Sequence, residues 1–485
     1  MSKSIKILAV LIVVFTLLLC GCSFESEKYV ITYYSDEAKS NQIDTSFEKG
    51  QSVNISSCPF RKDYYSFVEW NTASDGSGVS YLVGENYSKQ ENLVLYAIWE
   101  LNSLPDLNII SPYSGSSKSI LLADDVIFLS CNGFPEVEIF YSLDGTEPTR
   151  ESSVYDENGI QIPRGKHTLK VIGYSGSISS AVSSMDLKVI DLFICGSKQN
   201  DEMVTTACYW QNNSVEPVFI GDGLSQSSAT AVFKDATTLF LYSKDKRWVN
   251  GVEEGIPTIN IQDGCLVNGV PYVVGTTPNG LAIKAYALYG LNPVSLEGTN
   301  ENKSSASGIC VSDGDIYICG YISDTNTWWA DDYYACYWKN GDIVRLGDSS
   351  VRSYASDIYV VGDDVYVCGT IYNASGEFRW PCYWKNGVLK KLDNSFVSTD
   401  MQKNDLSAVE IVVFDNQVII AENSGYWIDE VFTKEKGRAY VATMLIVDSD
   451  LYIFPRSGDY YYVNWEKRTL MGGYNYNQFP FVYLE

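Results

Sequence analysis

Residues Ser353 to Leu392 read SYASDIYVVGDDVYVCGTIYNASGEFRWPCYWKNGVLKKL, and a near copy, ASGICVSDGDIYICGYISDTNTWWADDYYACYWKNGDIVRL, stands just upstream from Ala306 to Leu346. Each copy holds four short runs rich in Val, Ile, Tyr and Trp. Turn chemistry separates them: Gly-Asp before the second run, a variable loop before the third and Asn-Gly before the fourth. Asn-Gly between apolar runs marks a hairpin, because both central residues of a type I′ turn need positive φ. The copies therefore predict four antiparallel strands per unit.

From about Asp191 onward this unit governs the chain. Strands of the second-run type centre on Ile194, Leu241, Val273, Ile318, Val367, Ile419 and Ile453, spaced by 47, 32, 45, 49, 52 and 34 residues. Relatives of the Trp-x-Asn-Gly hairpin occur at Trp210–Asn213, Trp248–Gly251, Trp338–Gly341 and Trp384–Gly387. Four strands in roughly 40 residues, repeated about seven times, is the arithmetic of a β-propeller. Six or eight blades remain open, because Tyr474 to Glu485 either closes the first blade or is a tail. An aromatic content of 14%, mostly Tyr, and the lack of long 3.6-period apolar segments after the first twenty residues make the whole chain all-β.

At the N-terminus, Lys3 and Lys6 precede the uncharged run Ile7 to Leu19, the length of a signal-peptide core. The run ends in Leu19-Cys20-Gly21-Cys22, which resembles the bacterial lipobox. That resemblance implies lipidation of Cys22, export, and a soluble protein tethered to the cell envelope at the outer membrane or cell surface. The alternative is a plain secretory signal cut nearby. Loss of the two lysines takes the net charge from −25 to −27. So acidic a chain excludes nucleic acid and bare anionic lipid as partners, both of which need a basic surface.

Between Tyr29 and Trp99 the runs YVITYY, KGQSV, YYSFVEWNTASDGSGVSY and ENLVLYAIW resemble the Listeria–Bacteroides repeat, the B-repeat of internalin-type surface proteins. Phe67, Trp70, Gly76-Ser77-Gly78 and Leu95–Trp99 stand where that family has them. The glycines usual before its first Tyr and before its Trp are Tyr64 and Glu69 here. The resemblance implies a small β-grasp-like module, serving as a spacer or in partner contact. From Asp106 to Ile190, VEIFYSLDGTEPT and GKHTLKVIGYSGSISSAV resemble the chitobiase C-terminal-type domain, an immunoglobulin-like β-sandwich that is accessory in its family. The domain plan is thus a signal peptide over 1–21, a linker over 22–28, the repeat module over 29–100, the sandwich over 101–190 and the propeller over 191–485.

Chemistry is sparse. His167 is the chain's one histidine and lies outside the repeat, so Ser-His-Asp, Cys-His and His-ligated metal sites are impossible in the propeller. No metal and no cofactor is expected. Cys195 with Cys208, Cys319 with Cys336, and Cys368 with Cys382 occupy the same two places in three units. They are either cross-strand disulfides of an exported protein or small apolar thiols suited to a crowded interior. Directly paired strand positions have awkward geometry for a disulfide. Asp313, Asp315, Asp363, Asp364, Asp448 and Asp450 fall in turns between first and second strands, where turn formation accounts for them.

The loop between second and third strands varies while its flanks hold steady, and variable loops on a rigid scaffold are where binding sits. Here they carry Trp328, Trp329, Asp331, Asp332 and Tyr333, then Glu377, Arg379 and Trp380. Aromatics beside carboxylates and an Arg suit a polar ligand such as a carbohydrate, unless the rings fold back over the blade edges. The chain reads as a monomeric, lipid-anchored surface protein. Its propeller face binds a polysaccharide, peptide or protein and performs no catalysis. The alternatives are a carbohydrate-active enzyme using an Asp/Glu pair in the propeller, and a purely structural envelope protein.

Overall fold

A computed structural model describes residues 26–115, 119–279, 282–299, 303–323, 332–347, 351–373, 379–392, 407–422, 425–434, 441–455, 460–469 and 482–484. The signal segment and Cys22 lie outside them. The described residues contain no α-helix. Backbone contacts divide the chain into two compact units, and the division runs through the sandwich segment.

The first module is a five-stranded sheet in the order Gln42–Glu48, Lys28–Tyr34, Leu93–Leu101, Tyr65–Asn71, Ser80–Tyr81, with Lys28–Tyr34 and Leu93–Leu101 parallel. Alternation along these strands turns Ile31, Tyr33, Trp70, Leu95 and Ala97 inward, all buried. The indole N–H of Trp70 donates to the Ser56 carbonyl at 2.8 Å, so the largest ring of this small core leaves no polar atom unpaired. The two positions where the family has glycine are both irregular here. Tyr64 sits at φ 68°, a left-handed conformation that glycine adopts without strain. Glu69 follows a β-bulge that shifts the register after Phe67.

The sandwich has one sheet ordered Ser153–Val154, Glu138–Ser142, Gly165–Ser175, Ser183–Ile190, Ile120–Leu122. Its other sheet is ordered Ile160–Gln161, Val126–Ser130, Asn108–Ile110. His167 Nε2 lies 2.8 Å from the Pro163 carbonyl oxygen, a local loop contact.

From Leu192 onward the described residues form seven four-stranded antiparallel sheets. Sheets 2 to 7 each take four consecutive strands, beginning with first strands Ala231–Lys234, Asn260–Val267, Ser304–Ser312, Ser353–Val361, Glu410–Phe414 and Val441–Val447. Sheet 1 is closed by the chain's end. Val482–Leu484 pairs with Leu192–Gln199, which continues through Thr205–Gln211 to Val218–Phe219.

Each sheet packs on the next through its own buried cluster. Phe193 and Cys195 of sheet 1 meet Leu241 and Trp248 of sheet 2; Phe233 and Tyr242 meet Val273 and Leu288; Tyr272 and Val274 meet Ile318 and Trp338. Tyr317 and Cys319 meet Val367 and Trp384, Tyr366 and Cys368 meet Ile420 and Trp427, and Ile419 and Tyr426 meet Leu451 and Ile453. Tyr452, Phe454 and Tyr461 then return to Ile194 and Trp210 of sheet 1. The cycle of clusters makes this region a β-propeller.

The register also decides the thiols. Cys195 lies opposite Tyr209 while Cys208 lies opposite Gly196, and Cys319/Cys336 and Cys368/Cys382 are offset in the same way. One step along a strand turns a side chain to the other face. Cys319 therefore packs toward sheet 5 and Cys336 toward sheet 3. None of the six forms a disulfide, and the disulfide alternative does not hold, because the two sulfurs of each pair belong to different interfaces.

Candidate functional site

The hairpin asparagines organise one end of the propeller. In sheet 4, Asn340 has φ 53° and its side-chain Oδ1 accepts from Ile316 N at 2.9 Å, while its Nδ2 donates to Asp315 at 2.8 Å. Asn386 does the same for Val365 N and Asp364 in sheet 5, and Asn464 for Leu451 N and Asp450 in sheet 7. Asn212 serves Leu192 N and Asp191 in sheet 1. Asp191, Asp315, Asp364 and Asp450 are thus structural acceptors. Hydrogen bonds from Lys339 and Asn340 hold the Asp315 carboxyl below its usual range, and Lys385 and Asn386 do so for Asp364.

Two carboxyls do converge, at Asp263 and Asp357, which the sequence reading passed over. Both stand at β-bulges of first strands, in sheets 3 and 5. Asp263 accepts from Gly264 N at 2.7 Å and from Ile309 N of the adjacent sheet 4 at 2.8 Å. Asp357 accepts from Ile358 N at 2.7 Å and from Ile411 N of sheet 6 at 2.8 Å. In sheet 4 the matching residue is Gly308, where a Cβ would stand 2.8 Å from Asp357 Oδ1. Burial pushes Asp263 up to about 7, and burial with the Asp263 charge pushes Asp357 up to about 8. Every oxygen of the pair is engaged by backbone N–H, so these carboxyls latch neighbouring sheets together. Their signal in the sequence was an acid inside an apolar run, at one repeat position in IQDGCLV and YASDIYV.

The opposite strand ends carry a ladder of rings and cations. Tyr321, near the end of the second strand of sheet 4, lies 4.8 Å from Tyr333 at the start of the third. Lys303 donates to the Tyr333 hydroxyl at 2.6 Å. The Arg352 guanidinium sits over Tyr333 at 5.1 Å and over Tyr372 of sheet 5 at 4.2 Å, linking the two sheets. Tyr354 follows at 6.2 Å from Tyr372. Arg379 stands opposite Tyr372 in register, and all of these side chains are half-buried.

Of the expected binding residues, Tyr333 and Arg379 belong to this ladder. Asp332 is exposed beside it. Trp380 packs against the cluster between sheets 4 and 5, with Lys391 over its ring at 5.3 Å, which is the folded-back alternative. Trp328, Trp329, Asp331 and Glu377 lie outside the described residues. Lys303, Tyr321, Arg352, Tyr354 and Tyr372 were missed because they sit at strand ends, where period-2 alternation gives a ring no distinction from a core residue.

Comparison with known proteins identifies the two N-terminal modules. A model described as the Listeria-Bacteroides repeat domain matches residues 29–98, and one described as Fn3 associated matches residues 127–187. The second match falls within the stretch that resembles the chitobiase-type sandwich and carries a different description. No curated protein matches the chain. Among solved structures, the chain is similar to a quinonprotein alcohol dehydrogenase-like protein from Bacteroides thetaiotaomicron VPI-5482, at 11% identity over 76% of this chain and 94% of that one, TM-score 0.32. It is also similar to the extracellular domain of a hybrid two-component system from B. thetaiotaomicron, at 10% identity over 52% of this chain and 34% of that one, TM-score 0.34. A third similarity is to the acylaminoacyl peptidase of Pyrococcus horikoshii, at 12% identity over 64% of this chain and 51% of that one, TM-score 0.37.

Proposed function

We propose that this chain is an exported surface protein, lipid-anchored through Cys22, whose propeller presents a binding face to a polysaccharide, peptide or protein. The modules over 29–100 and 101–190, the latter of chitobiase C-terminal type, act as the stalk, and 191–485 is the presented domain. The observation that carries the reading is the ladder in which Arg352 bridges Tyr333 and Tyr372. Half-buried rings alternating with cations offer flat apolar faces and fixed donors together, the mixture that polar ring-bearing ligands require. Support over the carboxylate-pair enzyme comes from Asp263 and Asp357, whose oxygens are occupied by backbone donors.

The test is a glycan and peptide array probed with the purified chain, alongside Tyr333→Ala and Tyr372→Ala variants. The expected result is binding that both variants weaken about tenfold, the scale of one lost aromatic contact with its cation partner. No binding by a correctly folded chain would leave the structural-scaffold alternative ahead.

A further inference from the structure

At the other strand ends, between sheets 1 and 2, a cavity of about 470 Å³ is lined by Phe193, Tyr209, Ile220, Lys234, Leu239 and Asn250 among others. That volume is within the range of small-molecule sites. It opens where the fourth strand of sheet 1 shrinks to two residues, Val218–Phe219.

The asparagine brace fails here. Asn250 keeps half of it, accepting from Leu239 N at 2.8 Å through Oδ1. The residue just before the braced N–H, an aspartate in sheets 1, 4, 5 and 7, is Thr238 in sheet 2. The Asn250 amide N–H₂ consequently has no hydrogen-bond partner among the described residues and lines the cavity. The Tyr209 hydroxyl is likewise without a partner among the described residues; its ring rests on Phe193 at 6.2 Å. Burial alone raises its pKa. Arg164 and Asp191 in the wall neutralise each other at 3.3 Å. Lys234 donates to the Asp235 carbonyl and has no carboxylate partner among the described residues, so the lining carries one net positive charge in a chain of net −25.

We infer that this cavity is a binding site for a single sugar acid, a pyranose-sized ring bearing a carboxylate. Lys234 takes the carboxylate, Asn250 and Tyr209 take ring hydroxyls, and the apolar floor of Ile220 and Leu239 meets the ring's C–H face. Three polar groups without full partners around an apolar floor suit such a ligand better than a purely apolar one, which would leave them desolvated and unpaired.

The test is isothermal titration of the full chain with galacturonate and glucuronate, and with galactose and glucose as neutral counterparts. Saturable binding of at least one uronate is expected, with neutral sugars about tenfold weaker or more, since a charge-assisted contact is lost. Lys234→Met should erase that preference and Tyr209→Phe should weaken binding several-fold. Thr238→Asp should build the brace seen in sheets 1, 4, 5 and 7, satisfy Asn250 and abolish binding without loss of thermal stability. No saturable uronate binding by the folded chain, equal affinity for acid and neutral sugars, or affinity unchanged in Thr238→Asp would each overturn the site. None of these outcomes touches the tyrosine ladder, which the Tyr333 and Tyr372 variants test separately.

Discussion

Asn340 Nδ2 and Asp315 Oδ1 are joined at 2.8 Å across the two ends of one hairpin, while the same amide's oxygen holds Ile316 N. One side chain therefore fixes a positive-φ turn and the start of the neighbouring strand at once. Asn340→Ala removes both bonds and places alanine at φ 53°. The expected loss is about 2 kcal/mol, read as a lower urea midpoint. Asn340→Gly, which relieves the backbone but not the bonds, should recover part of it.

The Asp263 and Asp357 carboxyls have raised folded pKa values, so the folded chain holds protons that the unfolded chain has released between about pH 4 and pH 8. Stability then falls as pH rises through that window. The decline should run continuously from pH 5 to pH 8 and flatten above it. In Asp357→Asn, urea unfolding across the same range should show a shallower slope. An equally steep slope would remove this pair as its source.

Burial pushes the Cys319, Cys368 and Cys382 thiols well up and leaves them protonated inside the sheet interfaces. Native protein treated with iodoacetamide at pH 8 should keep Cys195, Cys208, Cys319, Cys336, Cys368 and Cys382 unmodified. After denaturation without reductant, mass spectrometry should find all six alkylated. Any linked peptide among them would contradict the register.

Tyr64 holds a left-handed backbone at φ 68° with its ring 5.8 Å from Phe134. Tyr64→Gly relieves about 1 kcal/mol of backbone strain and loses one half-exposed ring contact of similar size. Tyr64→Asn, which tolerates the conformation, should match Tyr64→Gly in thermal midpoint within a degree or two. Tyr64→Val, β-branched, should fall well below both.

The propeller was legible in the sequence because its signals are local: the Asn-Gly turn, the paired Trp and the second-run spacing each specify a hairpin before any tertiary contact forms. Ile194, Leu241, Val273, Ile318, Val367, Ile419 and Ile453 all fall in second strands. What stayed hidden depends on neighbours in space. The Asp263 latch reaches a backbone N–H 46 residues away, and Arg352 meets its two tyrosines from different sheets. The cysteine pairs looked like bridges because sequence spacing shows which strands are adjacent and conceals a one-residue offset in register.

Ring closure depends on Val482–Leu484 pairing with Leu192–Ile194. Removing residues 482–485 strips that edge and exposes the seam between sheets 7 and 1, at a cost of roughly 3 kcal/mol. Scanning calorimetry of the full and truncated chains measures it most directly. A closed ring predicts that the propeller transition drops by roughly 6 °C on truncation; an unchanged transition would contradict closure through this strand.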